Sequence, residues 1–132
     1  DAQKGKALFT MNCSMCHKVD GLGMEVGPDI SDVRNKPAEA LLSDILDPNR
    51  MMESRWMGYT VKMKDGAIHS GLIESDSGET ITLKGPAGIR ETVTRSQVAS
   101  MDESGLSLMP VGLEAAISPE QMADLLAFLR HR

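Results

Sequence analysis

Aromatic side chains are scarce in this chain: Phe9, Trp56, Tyr59 and Phe128 are all there are, 3% of the residues. A core so short of rings is filled by aliphatic groups, by the ten methionines, or by a flat group that is not made of amino acids. Methionine fills gaps well because it is unbranched, so composition alone leaves these open. No apolar run reaches the roughly 18 residues that a bilayer crossing needs. Basic residues are outnumbered, 14 Lys and Arg against 19 Asp and Glu, for a formal net charge of -5. That balance argues against nucleic acid as a partner. With charged residues at 25% and hydrophobic ones at 41%, the chain reads as a folded, soluble single domain of 132 residues rather than a disordered tail. The opening Asp1-Ala2-Gln3-Lys4 lacks an apolar leader segment, so it reads as the start of a mature chain or of an excised domain.

Cysteine is nearly absent too, and the two present both fall in Cys13-Ser14-Met15-Cys16-His17. This Cys-x-x-Cys-His spacing is the signature of c-type haem attachment. Two thiols can add to the two haem vinyl groups as thioethers, and the adjacent imidazole is then held beneath the iron. Other chemistries use similar residues. A disulfide redox pair normally opens a helix after a strand, whereas here the preceding residues read as helix. A zinc site needs a fourth ligand and usually a second Cys/His pair, and the sequence has no such pair. One covalent haem would also supply the flat group that the core is short of.

The flanks carry helical periodicity. Gly5, Leu8, Phe9 and Asn12 share one face over residues 3–12. Near the other end, Ser118, Pro119 and Gln121 form a capping box with proline at the first helical position. Met122, Leu125, Leu126 and Leu129 follow as an apolar stripe beside Phe128. Gly5, Phe9, Cys13, Cys16 and His17 in front, with Leu125 and Phe128 behind, resemble the terminal-helix pair of class I cytochromes c. Gly27-Pro28-Asp29-Ile30 resembles the family's Gly-Pro-x-Leu segment, in which the proline carbonyl accepts a hydrogen bond from the proximal histidine. The resemblance gives Pro28 that role, while a plain glycine-proline turn is the alternative. A further helix is expected from Pro37, with Leu41, Leu42, Ile45 and Leu46 inward, stopped by Asp47-Pro48. Another helical turn is expected within Asn49 to Arg55.

From Gly58 the period drops to 2. Tyr59, Val61 and Met63 alternate with polar residues, Asp65-Gly66 signals a tight hairpin, and strands are expected at Ile68 to Ile73, Thr80 to Leu83 and Ile89 to Thr94. This antiparallel meander, about residues 58–101, is expected as an insertion within one cytochrome c domain spanning 1–132. The expected fold class is therefore mainly α, a class I cytochrome c fold with an inserted small antiparallel β-sheet. His69 reads as a strand residue on the surface rather than an iron ligand.

The resemblance implies His17 as one axial ligand and a methionine ahead of the last helix as the other. Ser107-Leu108-Met109-Pro110 fits that place, making Met109 the expected ligand, with Met101 the nearest competitor and Met51 and Met52 further back. His69 or His131 in its stead would give a bis-histidine haem of lower potential. Gly-Pro-Asp-Ile, Asp-Pro-Asn, the Asp65-Gly66 hairpin and Ser-Leu-Met-Pro-x-Gly-Leu are together similar to bacterial haem-binding domains of the planctomycete and verrucomicrobial type. The resemblance implies an exported, periplasmic electron carrier rather than an enzyme. Its partners would be redox proteins with a basic docking face, such as a fused or docked dehydrogenase or a terminal oxidase. If the methionine were labile, a haem-based sensor or a peroxidase-like enzyme is the other class of reading.

Overall fold

A computed structural model describes residues 1–132, which separate into two compact units. The first comprises Asp1–Met51 and Met109–Arg132, and the second is Met52–Leu108.

In the first unit, helix α1 spans Ala2–Asn12, and the Asp1 carboxylate caps it by accepting from the backbone N–H groups of Gln3 and Lys4 at 2.9 and 3.0 Å. These are two of the donors that every helix leaves unpaired at its start. A two-stranded ribbon follows, β1 (Lys18–Val19) against β2 (Leu22–Gly23). Helix α2 covers Ala38–Leu46 and ends at Asp47, before Pro48, as expected of a residue that precedes proline. The helical turn expected within Asn49 to Arg55 is not formed there; a 3-10 turn lies at Ser54–Trp56, in the second unit.

The last helix, α3, covers Pro119–His131 and starts with the full capping box. The Gln121 N–H donates to Ser118 Oγ at 3.3 Å, and the Ser118 N–H donates to Gln121 Oε1 at 2.9 Å. Its buried stripe of Met122, Leu125, Phe128 and Leu129 meets Phe9 of α1, Val19, Leu41 and Ile117 in one apolar cluster. The helices approach closely at Gly5, where an added Cβ would lie 1.9 Å from the Asp124 carbonyl oxygen and 2.7 Å from Phe128 Cβ. Beside that gap the Phe9 and Phe128 rings pack tilted, with centroids 5.6 Å apart.

The second unit is a five-stranded antiparallel sheet: β3 (Met57–Met63), β4 (Ile68–Asp76), β5 (Thr80–Lys84), β6 (Arg90–Thr94) and β7 (Val98–Ser107), in the order β6-β5-β4-β3-β7. The Asp65-Gly66 hairpin joins β3 to β4, with Met63 N–H donating to the Ala67 carbonyl at 2.8 Å. Alternation along the strands sends Val61, Ile81, Leu83 and Val93 into a separate core, with Met63, Ile73, Val98 and Met101 packed against it.

Two expectations are corrected here. The sheet is not a plain meander, because β7 returns to pair with β3, Val61 lying opposite Met101 and Tyr59 opposite Glu103. It also runs to Ser107, past the expected end near residue 101. Nor is the fold mainly α. Helical turns of all kinds make up 38% of the residues and strands 30%, and the five-stranded sheet is not part of a mainly helical class I fold. The physical reason is that the sheet has its own apolar core and is the whole framework of the second unit.

Candidate functional site

The site is built where α1 stops. The Cys13 N–H still donates to the Phe9 carbonyl at 2.8 Å, and the chain then coils tightly, with the Cys16 and His17 N–H groups both donating to the Cys13 carbonyl at 3.1 and 2.9 Å. One turn thus carries both thiols and the imidazole. The glycine-rich loop is laced onto it: Met24 N–H donates to Ser14 O at 2.8 Å, and Val26 and Gly27 N–H donate to Cys16 O at 3.1 and 2.7 Å.

That lacing brings Pro28 to the histidine. His17 Nδ1 lies 3.0 Å from the Pro28 carbonyl oxygen. A carbonyl can only accept, so Nδ1 carries the proton and Nε2 is left with its lone pair, the form a metal-binding imidazole takes. Gly27 keeps the ring's flank clear, since a Cβ there would come within 3.2 Å of His17 Cε1.

Burial pushes the Cys13 thiol up to about 11, the nearby Cys16 adding to the shift, and burial raises Cys16 as well. Redox dithiols have the opposite character, a thiol lowered toward the thiolate. Both cysteines are free and half-buried, and no group of three or more His, Cys, Asp or Glu could hold a bare metal ion. The donor set therefore suits a haem: two protonated thiols for the vinyl groups and one imidazole of fixed tautomer beside them.

The other candidates fall in different surroundings. Met101 is spent in the sheet, opposite Val61 and against the apolar core there. Met122 is buried in the helical core, whereas Met51 is 82% exposed. Met52 is half-buried at the start of the sheet unit. Met109 is half-buried in the irregular stretch ahead of the 3-10 turn Leu113–Ala115, in the same unit as His17. His69 pairs with Glu91 in the sheet, and His131 is exposed at the end of α3.

Sequence reasoning missed a polar clamp behind the site. The Arg132 guanidinium, its side chain only 7% exposed, donates to Asp20 Oδ2 at 2.9 Å and to the carbonyls of Ile30 and Ser31. Asp20 also accepts from Arg34. These guanidinium hydrogen bonds, that of Arg34 foremost, hold the Asp20 carboxyl below its ordinary range. The one available signal was the pair Arg130 and Arg132 at the end of the last helix, and basic residues are ordinary at a helix C-terminus.

The family model described as Cytochrome c matches the chain over residues 2–132. The chain belongs to the cytochrome c family. No curated protein matches it. Family and motif together make it a haem-binding electron-transfer protein with one covalently attached haem c, held through its only two cysteines, Cys13 and Cys16. No helix is long and apolar enough to cross a membrane.

Proposed function

We propose that this chain is a one-electron carrier whose haem iron is ligated by His17 and Met109. The observation that carries the reading is the His17 Nδ1–Pro28 hydrogen bond of 3.0 Å, which fixes the tautomer and raises the basicity of Nε2. When bound, the haem supplies the Fe(III)/Fe(II) couple; a His/Met pair sets it toward higher potential. Cys13 and Cys16 would tether the haem, His17, its ring oriented by Pro28 and flanked by Gly27, would bind the iron, and Met109 would supply the second ligand. Met109 is favoured over Met101 because the latter's side chain already fills the sheet core.

Two protein ligands would leave small molecules no open position, which favours outer-sphere transfer to partner proteins over turnover of a substrate. The proposed setting is an exported one, such as the bacterial periplasm, with a fused or docked dehydrogenase or a terminal oxidase as partner. Gly-Pro-Asp-Ile, Asp-Pro-Asn, the Asp65-Gly66 hairpin and Ser-Leu-Met-Pro-x-Gly-Leu support kinship with planctomycete and verrucomicrobial haem-binding domains.

Absorption spectroscopy tests the ligand. Met109→Ala should abolish the weak sulfur-to-iron charge-transfer band of the oxidised protein, while Met101→Ala should keep it. Retention of the band in Met109→Ala sinks the assignment. Rapid, complete carbon monoxide binding to the reduced wild-type protein at neutral pH would favour the sensor or peroxidase class instead.

A further inference from the structure

The sheet unit holds a cavity of about 500 Å³ whose lining has no part in the haem site: Met63, Asp65 and His69 on one side, Glu91 to Thr94 and Gln97 on the other. Successive side chains of a strand point to opposite faces. All four residues from Glu91 to Thr94 border the cavity, the arrangement expected where a cavity runs along the edge of a strand. β6 is the outermost strand on its side of the sheet, paired to β5 alone, so every second residue has its N–H and C=O on a side with no strand partner.

The two edges of this sheet are treated differently. β7, the other outer strand, is interrupted by two register shifts and carries Asp102-Glu103, devices that discourage strand addition. β6 pairs with β5 in unbroken register from Thr80–Thr94 to Lys84–Arg90 and has no proline or lysine, its two charges, Arg90 and Glu91, falling at its first two positions. Its Thr92-Val93-Thr94 is strongly β-forming.

The charge of the cavity is one-sided. Its ionisable lining is Asp65, His69 and Glu91, with no Lys or Arg, and one Glu91 oxygen is already bonded to His69. His69 lies opposite core residue Val61, and Glu91 opposite core residue Leu83. The pair therefore sits on the inward side of the sheet, where the remaining core positions are apolar. The two arginines that bracket β6 are turned to other partners, Arg90 to Glu74 at 2.6 Å and Arg95 to Asp76, while Lys64 lies beside Asp65 in the hairpin.

We propose that this seam is a peptide site, in which an extended segment of a partner protein adds to the free edge of β6 and sets a basic side chain against Asp65 and Glu91. Main-chain hydrogen bonds supply the affinity in such strand addition, and the side-chain pocket supplies the choice. The volume falls in the range of ordinary ligand sites, roughly 300–1,000 Å³.

The test uses the intact haem-loaded protein, isotope-labelled for amide NMR, and the probe acetyl-Thr-Val-Lys-Val-Thr-amide. Chemical-shift changes should concentrate on Arg90 to Thr94. Replacing the probe's lysine by glutamate should weaken binding about tenfold, the effect of setting like charges together. Methylating alternate probe nitrogens, which leaves its side chains alone, should abolish binding. Glu91→Gln should weaken the lysine probe but not the glutamate probe, with the haem spectrum as a check on folding. The proposal is overturned by absence of binding at millimolar probe, by shifts centred elsewhere, or by equal binding of the methylated probe. Light scattering that shows a dimer closed through β6 before any probe is added overturns it as well, because a second copy then occupies the edge.

Discussion

Gly5 shows how one missing side chain sets a helix crossing. A methyl group there would sit 1.9 Å from the Asp124 carbonyl oxygen, and backbone cannot rotate out of the way as a side-chain tip can. Gly5→Ala is therefore expected to destabilise the haem-loaded protein by about 2–3 kcal/mol, at the upper end for overpacking. Gly85→Ala, where no atom comes closer to the added Cβ than 3.9 Å, should stay within about 0.5 kcal/mol. Denaturant unfolding of the two variants measures both, and equal stability would refute the close-approach argument. At this scale the sequence was informative because the chemistry is local: Cys13, Cys16 and His17 share one turn, and Gly5 and Phe9 are one turn apart. The histidine-to-Pro28 contact spans eleven residues and came through resemblance, not through spacing. Nothing local announces Asp20 and Arg132, which are 112 positions apart.

Between elements, that same pair ties the end of α3 to the segment that follows the haem motif, and it does so through a titrating group. Arg34 first, and Arg132 after it, hold the Asp20 carboxyl below its ordinary value of 3.8. A lowered folded value means that the native state favours the carboxylate. The stabilisation is therefore present above the ordinary value and is lost as pH falls through the lowered one. Asp20→Asn is expected to lower the melting temperature at pH 7 and to flatten its decline between about pH 5 and 3. A parallel decline in variant and wild type would show that Asp20 plays no part in acid unfolding. The helices themselves were legible, since α1 and α3 carry caps and apolar stripes at helical spacing and Pro48 marks the end of α2. The stretch from Asn49 to Arg55 was not, because short polar segments with scattered methionines have no period to read. The first four strands of the sheet could be placed from alternation and the Asp65-Gly66 turn. β7 could not: its pairing with β3 is a distant event, as in Tyr59 Oη donating to Glu103 Oε1 across 44 positions, and its alternation is blurred by bulges.

Across the whole molecule, the expectation of a mainly helical protein failed because local periodicity does not weigh cores against one another. The sheet unit closes on itself, with its first strand pairing with its last so that Met57 lies opposite Ser107. Directly opposed residues in an antiparallel pair are only about 5 Å apart. A one- or two-residue linker spans that gap, so the unit enters and leaves the chain almost at one point, the usual condition for an insertion that a host domain tolerates. Its core of Val61, Ile81, Leu83 and Val93 shares no residue with the cluster around Phe9 and Leu125. Replacing residues 58–106 with two glycines should therefore leave a chain that still attaches haem and keeps its helices. The pyridine spectrum should retain the two-thioether form, and the far-ultraviolet dichroism should show helix with little strand. Persistence of the sulfur-to-iron band in this shortened protein would place the sixth ligand outside the removed segment, agreeing with Met109 and excluding Met101. If the shortened chain instead fails to attach haem and stays unfolded, the sheet is required for the helical unit to form, and its independence is refuted.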